Sequence, residues 1–237
     1  MTNEASSDET ASEPAETAPT VGAGARAPTD HPKTASDIAS IYADQADTME
    51  RMRWLDRKLT GRYRRRQFGD AAGRVLDVAC GGGTNFAFLP VSTDLVGVDI
   101  SPEMLAAARR ELDRLDRDGE LVRMDAQQLA YPDDSFDTVI SALSTCTFPD
   151  PVAALREMQR VCKPDGRILL LEHGRSDVGP IDRFLDWRAE AHYEKHGCRW
   201  NQDPVELVRD AGLPLIDVHE HVLGIITRIE ASPVAVR

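Results

Sequence analysis

An apolar run, Val75-Leu76-Asp77-Val78, passes into Ala79-Cys80-Gly81-Gly82-Gly83-Thr84-Asn85, and residue types in that order can build a site for a nucleotide-type ligand. Glycine lets a chain turn sharply and approach a ligand with no Cβ in the way, and the first amides of a following helix point at an anionic group placed there. A second apolar run, Leu95-Val96-Gly97-Val98, ends in Asp99, about where a carboxylate that accepts from ribose hydroxyls is expected. Spacing narrows the ligand further. A dinucleotide site needs Gly-x-Gly-x-x-Gly to seat a pyrophosphate, and the third position after Gly81 and Gly83 is Phe86. No Gly-x-x-x-x-Gly-Lys-Ser/Thr phosphate loop occurs, and Tyr193 is followed by Gly197 where the Tyr-x-x-x-Lys pair of short-chain dehydrogenases needs lysine. A ligand with a ribose and no phosphates fits better, which disfavours a nicotinamide oxidoreductase.

Such residues work together only if neighbouring strands deliver them to one edge of a sheet. Apolar patterning predicts strands over 74–79, 94–98, 120–124, 137–143 and 167–172. Between them come helices from Thr84, from Pro102 with Ser101 as its cap, and behind Asp150-Pro151. Lys163-Pro164-Asp165-Gly166 reads as a turn, and Asp203-Pro204-Val205-Glu206 as a capping box opening a helix that Gly212 stops. Residues 215–229 read as two strands turning near Leu223-Gly224. Alternation of this kind specifies an α/β fold, a doubly wound, Rossmann-like parallel sheet with helices on both faces. Ahead of it, near-helical spacing of Ile38, Ile41, Met49, Met52, Leu55 and Leu59 predicts one or two helices over residues 35–69, a cap on a core of 70–237. Residues 1–34, rich in Ala, Glu, Thr, Ser and Pro, lack the apolar content to offset ordering and are expected to form a disordered acidic tail.

The chain has 237 residues and a net charge of -12, which argues against broad nucleic-acid binding. Lysine occurs only at Lys33, Lys58, Lys163 and Lys195, a balance consistent with a salt-adapted or GC-rich source. Cys80, Cys146, Cys162 and Cys198 show no Cys-x-x-Cys spacing, so a reducing, cytoplasmic setting is the simpler expectation. No apolar run reaches transmembrane length and the start of the chain does not read as a signal peptide.

Five segments in order resemble the class I S-adenosylmethionine-dependent methyltransferases, in particular the methyltransferase type 11 branch of quinone-biosynthesis C-methyltransferases and phospholipid N-methyltransferases. They are Asp77-x-Ala79-Cys80-Gly81-x-Gly83-x-Asn85, Val98-Asp99-Ile100-Ser101-Pro102-Glu103-Met104-Leu105, Met124-Asp125-Ala126, Phe136-Asp137-Thr138-Val139-Ile140 and Lys163-Pro164-Asp165-Gly166-Arg167-Ile168-Leu169. The likeness runs from about Ile41 onward and departs at Ala79, where the family more often has glycine. It implies a seven-stranded sheet with one antiparallel strand near the C-terminus, and S-adenosyl-L-methionine as cofactor. It further implies that Asp99 accepts from both ribose hydroxyls and that Asp77 and the backbone of 79–83 hold the methionine end. Asp125 would meet the adenine amine with Ala126 beside the ring, and Asn85, Ile100, Met104 and Ser141 complete the expected set. The expected reaction is methyl transfer to a small or lipid-like acceptor. The alternative is a non-catalytic cofactor-binding or assembly protein on the same fold.

Methyl transfer from a sulfonium is an in-line displacement in which positioning provides much of the acceleration. A base is needed only for a protonated acceptor, and the candidates are His173, His192 and Tyr193, with His196 nearby. Ser144-Thr145-Cys146-Thr147 stands where amine methyltransferases acting on bases or glutamine carry Asn/Asp-Pro-Pro-Tyr/Phe, which lowers the nucleic-acid and protein-amide readings. Cys146 has no local thiolate-stabilising neighbour and reads as packing. His192, His196 and Cys198 have zinc-compatible spacing, but no remote further ligand announces itself and no metal is expected. Arg51 to Arg66 form a basic stretch carrying Trp54, Leu55 and Leu59. Either it meets anionic lipid at the inner face of a membrane, or it packs on the acidic body.

Overall fold

Polar caps fix where the helices begin. The computed structural model describes residues 32–234; the expected tail lies almost wholly outside the described residues. Thr34 and Asp37 form a capping box that starts α1 (Ala35–Phe68), one continuous helix of 34 residues. Ser101 caps α2 (Pro102–Leu115), Asp150 caps α3 (Pro151–Val161) and Asp203 caps α5 (Pro204–Asp210), each with proline in the first turn. The remaining helix, α4 (Gly179–His196), ends at Gly197, whose φ of 65° supplies the left-handed closing residue.

The strands are β1 (Arg74–Val78), β2 (Asp94–Asp99), β3 (Glu120–Arg123), β4 (Phe136–Ala142), β5 (Cys162–His173), β6 (Leu215–His221) and β7 (Ile226–Ala231). They form one sheet in the order β3-β2-β1-β4-β5-β7-β6. All pairings are parallel except those of β7, which runs antiparallel to both β5 and β6. Alternate residues face opposite layers. Leu76, Val78, Val139, Ile168 and Leu170 pack in a core with Leu155 and Met158 of α3 and Val205 and Val208 of α5. Val75, Ile140, Leu169 and Leu171 pack in the other, with Tyr63 and Phe68 of α1 and Ala108 and Leu112 of α2.

Two expected elements differ. The helix expected from Thr84 is a 3-10 turn over Thr84–Phe88, and Leu89 after it is extended (ψ 144°) because Pro90 follows. The turn expected at 163–166 is a bulge inside β5: Phe136 pairs with Cys162, while Thr138 pairs with Arg167. Asp137, opposite the bulge, holds Lys163 Nζ at 2.5 Å, and a Cβ on Gly166 would lie 2.8 Å from the Asp137 carbonyl oxygen.

Helix α1 is fastened by charge as well as by its apolar residues. Glu111 of α2 is fully buried and accepts from Arg53 (2.6 Å), Arg57 and Arg114 (2.7 Å). Removing the shared carboxylate leaves Arg53 and Arg57 without their counter-ion in a largely water-excluded seam, and such a loss costs about 3 kcal/mol. Glu111→Ala is therefore expected to lower the unfolding free energy by about that amount in chemical denaturation. A loss below about 0.5 kcal/mol would mean that the seam is not a stabilising contact.

Candidate functional site

The tips of β1, β2, β3 and β4 open into one cavity of about 340 Å³, roofed by α1. Its floor is the turn from Ala79 to Asn85, with Asp99, Ile100 and Met104 on one side and Asp125 and Ala126 on another. Leu143, Thr147 and Phe148 close the third side, and Tyr42, Met49 and Arg53 reach down from α1. Ala79 and Leu143 directly follow β1 and β4, and both adopt left-handed φ values, 54° and 55°. Backbone strain of this kind is concentrated where a chain must bend to shape a site.

Asp99 is the hinge of this arrangement. Its Oδ2 accepts from Gly81 N and its Oδ1 from Ser101 N, both at 2.9 Å, so one carboxylate ties the turn after β1 to the cap of α2. Each oxygen keeps a further lone pair for a ligand hydroxyl. Burial raises the Asp99 pKa, although the amides of Ser101 and Gly81 oppose it. Gly81 has a φ of 54° and no described atom within 4 Å of its would-be Cβ, so a side chain there would both strain the left-handed backbone and project into the cavity.

Asp77 lies behind the turn. Its carboxylate is fully buried and accepts from Asn85 Nδ2 at 3.0 and 3.1 Å, while Asn85 Oδ1 accepts from Arg64 of α1. Arg64 also pairs with Asp56 at 3.2 Å. Desolvation pushes the Asp77 pKa up to about 7 against the hydrogen bond from Asn85 and the charge of Arg64. Glu172, at the end of β5, is likewise pushed up to about 7 by burial; it accepts the amides of Ser144 (3.0 Å) and Thr145 (3.3 Å).

Of the residues singled out from sequence, Ala79, Cys80, Gly81, Asn85, Asp99, Ile100, Met104, Asp125 and Ala126 line the cavity. Asp77, Gly83 and Ser141 stand outside that lining, and so do the base candidates His173, His192 and Tyr193. Gly83 (φ 79°) gives its N–H to Cys80 O, and a Cβ there would strike the Phe86 ring at 2.5 Å. Ser141 Oγ donates to Val78 O at 2.9 Å and bonds Ser144 Oγ. Tyr193 is buried, its hydroxyl accepting from Lys33 N (2.8 Å) and Arg199 Nη2 (2.9 Å). His173 Nε2 is 3.2 Å from Cys146 Sγ and 3.4 Å from Cys198 Sγ. The hydrogen bond between Cys146 and Cys198 holds the Cys198 thiol pKa down and pushes that of Cys146 up, with His173 also favouring the Cys198 thiolate. His192 stacks on Trp200, ring centroids 3.8 Å apart.

Sequence reasoning missed Arg53, Arg64 and Glu172. The two arginines look like members of one basic run, and only the depth at which α1 seats separates them from their exposed neighbours. Glu172 carried a signal: a carboxylate closing the apolar run Ile168–Leu171.

Residues 76–170 match the family model of a methyltransferase domain. A phosphatidylethanolamine N-methyltransferase of Cereibacter sphaeroides is 36% identical over 111 residues, covering 46% of this chain and 55% of that protein. A demethylmenaquinone methyltransferase of Clavibacter sepedonicus is 39% identical over 117 residues, 49% of this chain and 47% of that protein. The methyltransferase solved in complex with the Trm112 activator of Haloferax volcanii superposes with a TM-score of 0.64 at 21% identity, over 83% of this chain and 98% of that one. The chain spans about half the length of the curated relatives it matches. Over residues 76–170 the chain carries a methyltransferase domain, and S-adenosylmethionine is the cofactor of the class I family it is similar to.

The cavity fits that molecule on grounds of its own. Among the described residues Arg53 Nη2 is buried with no hydrogen-bond partner, and it borders the cavity 3.1 Å from where a Gly82 Cβ would stand. An unpaired guanidinium nitrogen beside a glycine turn suits a carboxylate, and the paired Asp99 oxygens at the other strand tip suit a diol.

Because the folded pKa of Asp77 is raised above its ordinary 3.8 to about 7, its contribution is most favourable below pH 4 and is lost as pH rises through about 7. The stability of the unliganded protein minus that of Asp77→Asn is therefore expected to fall between about pH 4 and 7, by thermal melting in matched buffers. A difference that is flat or rises over that range would contradict the assignment.

Proposed function

We propose that this protein transfers the methyl group of S-adenosylmethionine to a small or lipid-like acceptor, a quinone or a phospholipid. The carrying observation is the cavity at the strand tips, where an amide-bound Asp99 and the unpartnered Arg53 nitrogen face one space. In this reading Asp99 receives the ribose hydroxyls, while Arg53 and the amides of 80–83 receive the methionine carboxylate. Asp77, acting through Asn85, balances its ammonium. Asp125 and Ala126 flank the adenine, and Ile100 and Met104 cover the ribose side. The cofactor supplies an activated methyl on a positively charged sulfur. The chain's contribution is to fix the direction of approach and keep water away, and three buried carboxylates near the site favour a cationic ligand.

Relatives named for phosphatidylethanolamine and demethylmenaquinone support a bilayer-borne acceptor. The face of α1 supports it too. Arg53 and Arg57 turn inward to Glu111 of the body and Arg64 to Asn85, whereas Arg51, Lys58, Arg62, Arg65 and Arg66 are exposed with Trp54 (63%) and Leu59 (64%). A cationic face with an exposed indole and leucine suits the headgroup region of an anionic bilayer, which supports the reading of a peripheral protein on the cytoplasmic side. Among the described residues no helix is long and apolar enough to cross a membrane.

Three experiments test this reading. Calorimetry with S-adenosylhomocysteine and with methylthioadenosine, which lacks the amino-acid end, reads the Arg53 assignment. Arg53→Met should weaken the first about 30-fold or more and the second by less than about threefold. Equal losses would sink the carboxylate role. Labelled-methyl transfer in vesicles should appear with a demethylated quinol or with phosphatidylethanolamine, and binding without transfer to either would favour a non-catalytic protein. Co-sedimentation with anionic vesicles should fall about tenfold in Trp54→Ala/Leu59→Ala/Arg65→Ala. No change would remove the membrane contact.

A further inference from the structure

Outside the cavity the fold gathers a second group of reactive side chains from three distant parts of the chain. Cys146 sits in the 3-10 turn Thr145–Thr147 that follows β4, His173 ends β5, and Cys198 lies just past the glycine that closes α4. Cys146 Sγ and Cys198 Sγ are 3.3 Å apart, and His173 Nε2 lies 3.2 and 3.4 Å from them. All three ligand atoms fall within 4.8 Å of one another, and both thiols are buried and free.

Ligands of a tetrahedral zinc ion, at about 2.3 Å for sulfur and about 2.0 Å for nitrogen, stand about 3.5–3.8 Å apart. The observed separations need to open by only a few tenths of an ångström. The fourth donor must come from beyond that group of three, and His192 of α4, one of the groups that hold the Cys198 thiol pKa down, is the candidate. Its ring stacks on Trp200, whose Nε1 donates to Leu185 O at 3.0 Å.

We propose that Cys146, His173 and Cys198, with His192 as fourth ligand, form a zinc site that clips α4 and the loop after it onto the ends of β4 and β5. Binding replaces the two thiol protons, which leave to solvent, and no electron is transferred. The clip borders the cavity, because Thr147 and Phe148, next in the chain after Cys146, line its wall. It also works with contacts already present: Arg199 N donates to Cys146 O at 2.8 Å and Arg199 Nη1 to Phe148 O at 2.8 Å. A four-ligand site of this composition is closed and structural, so its expected effect is on the order of α4.

The test uses the full-length wild-type protein, reduced, treated with a chelator and then titrated with Co²⁺ and Zn²⁺ alone. The expected result is about one Co²⁺ per chain with intense near-ultraviolet thiolate-to-cobalt absorption, displaced by Zn²⁺. Zn²⁺ should also slow hydrogen exchange across 179–200. Cys146→Ser and Cys198→Ser should each abolish the absorption, while His192→Asn should retain it with affinity lowered about tenfold or more. Reduced, folded wild type that shows no thiolate-to-cobalt absorption would overturn the proposal. The wild-type titration does not depend on the folding of any variant.

Discussion

A single carboxylate, that of Asp99, fixes the geometry on which the rest of the site depends. Strands β1 and β2 run side by side, but parallel pairing alone does not set where the turn after one lies relative to the helix after the other. Asp99 does so by taking the amide of Gly81 on one oxygen and that of Ser101 on the other, each at 2.9 Å. Two amide bonds to one buried anion hold the turn open, and the cavity is the space left beneath α1. Gly81 is then required for more than flexibility, because its left-handed backbone presents the amide to Asp99 while leaving the cavity side bare.

The buried charges around this point share one balance. Asp77 and Glu172 are each driven to about 7 by desolvation, and Asp99 is raised as well. Arg64 counters Asp77 through Asn85, and Arg53, shared with Glu111, leaves one nitrogen unpaired. Acids held near their protonation point gain from an arriving cation, and an unpaired guanidinium nitrogen gains from an arriving carboxylate. On the proposed reading a zwitterionic sulfonium supplies both. Helix α1 is therefore part of the site as well as a roof, since it delivers Arg53 and Arg64.

What the sequence disclosed follows from how local each signal is. Ser101-Pro102, Asp150-Pro151 and Asp203-Pro204 mark helix starts through contacts within three residues, and the structure has helices at all three. The mostly parallel sheet was legible from the alternation, and the family likeness placed the antiparallel strand, while the strand order came only with the structure. Less legible was the short turn after Asn85, where Pro90 acts against the helix that the glycine loop led one to expect. Contacts over long separations were hidden. Arg64 meets Asn85 across 21 residues and Cys146 meets Cys198 across 52, distances at which no spacing rule operates. Nor could the basic run be divided by inspection, because seating α1 in the groove decides which arginines face acids and which face solvent.

The measurement that bears most directly on this account is the affinity of S-adenosylmethionine for the wild type and for Asp99→Ala, by calorimetry at matched pH and salt. The account predicts binding to the wild type and a loss of about 100-fold or more in the variant, since the diol loses its acceptor and the turn its anchor. Equal affinity in the two proteins, or no binding to the folded wild type at millimolar ligand, would contradict it.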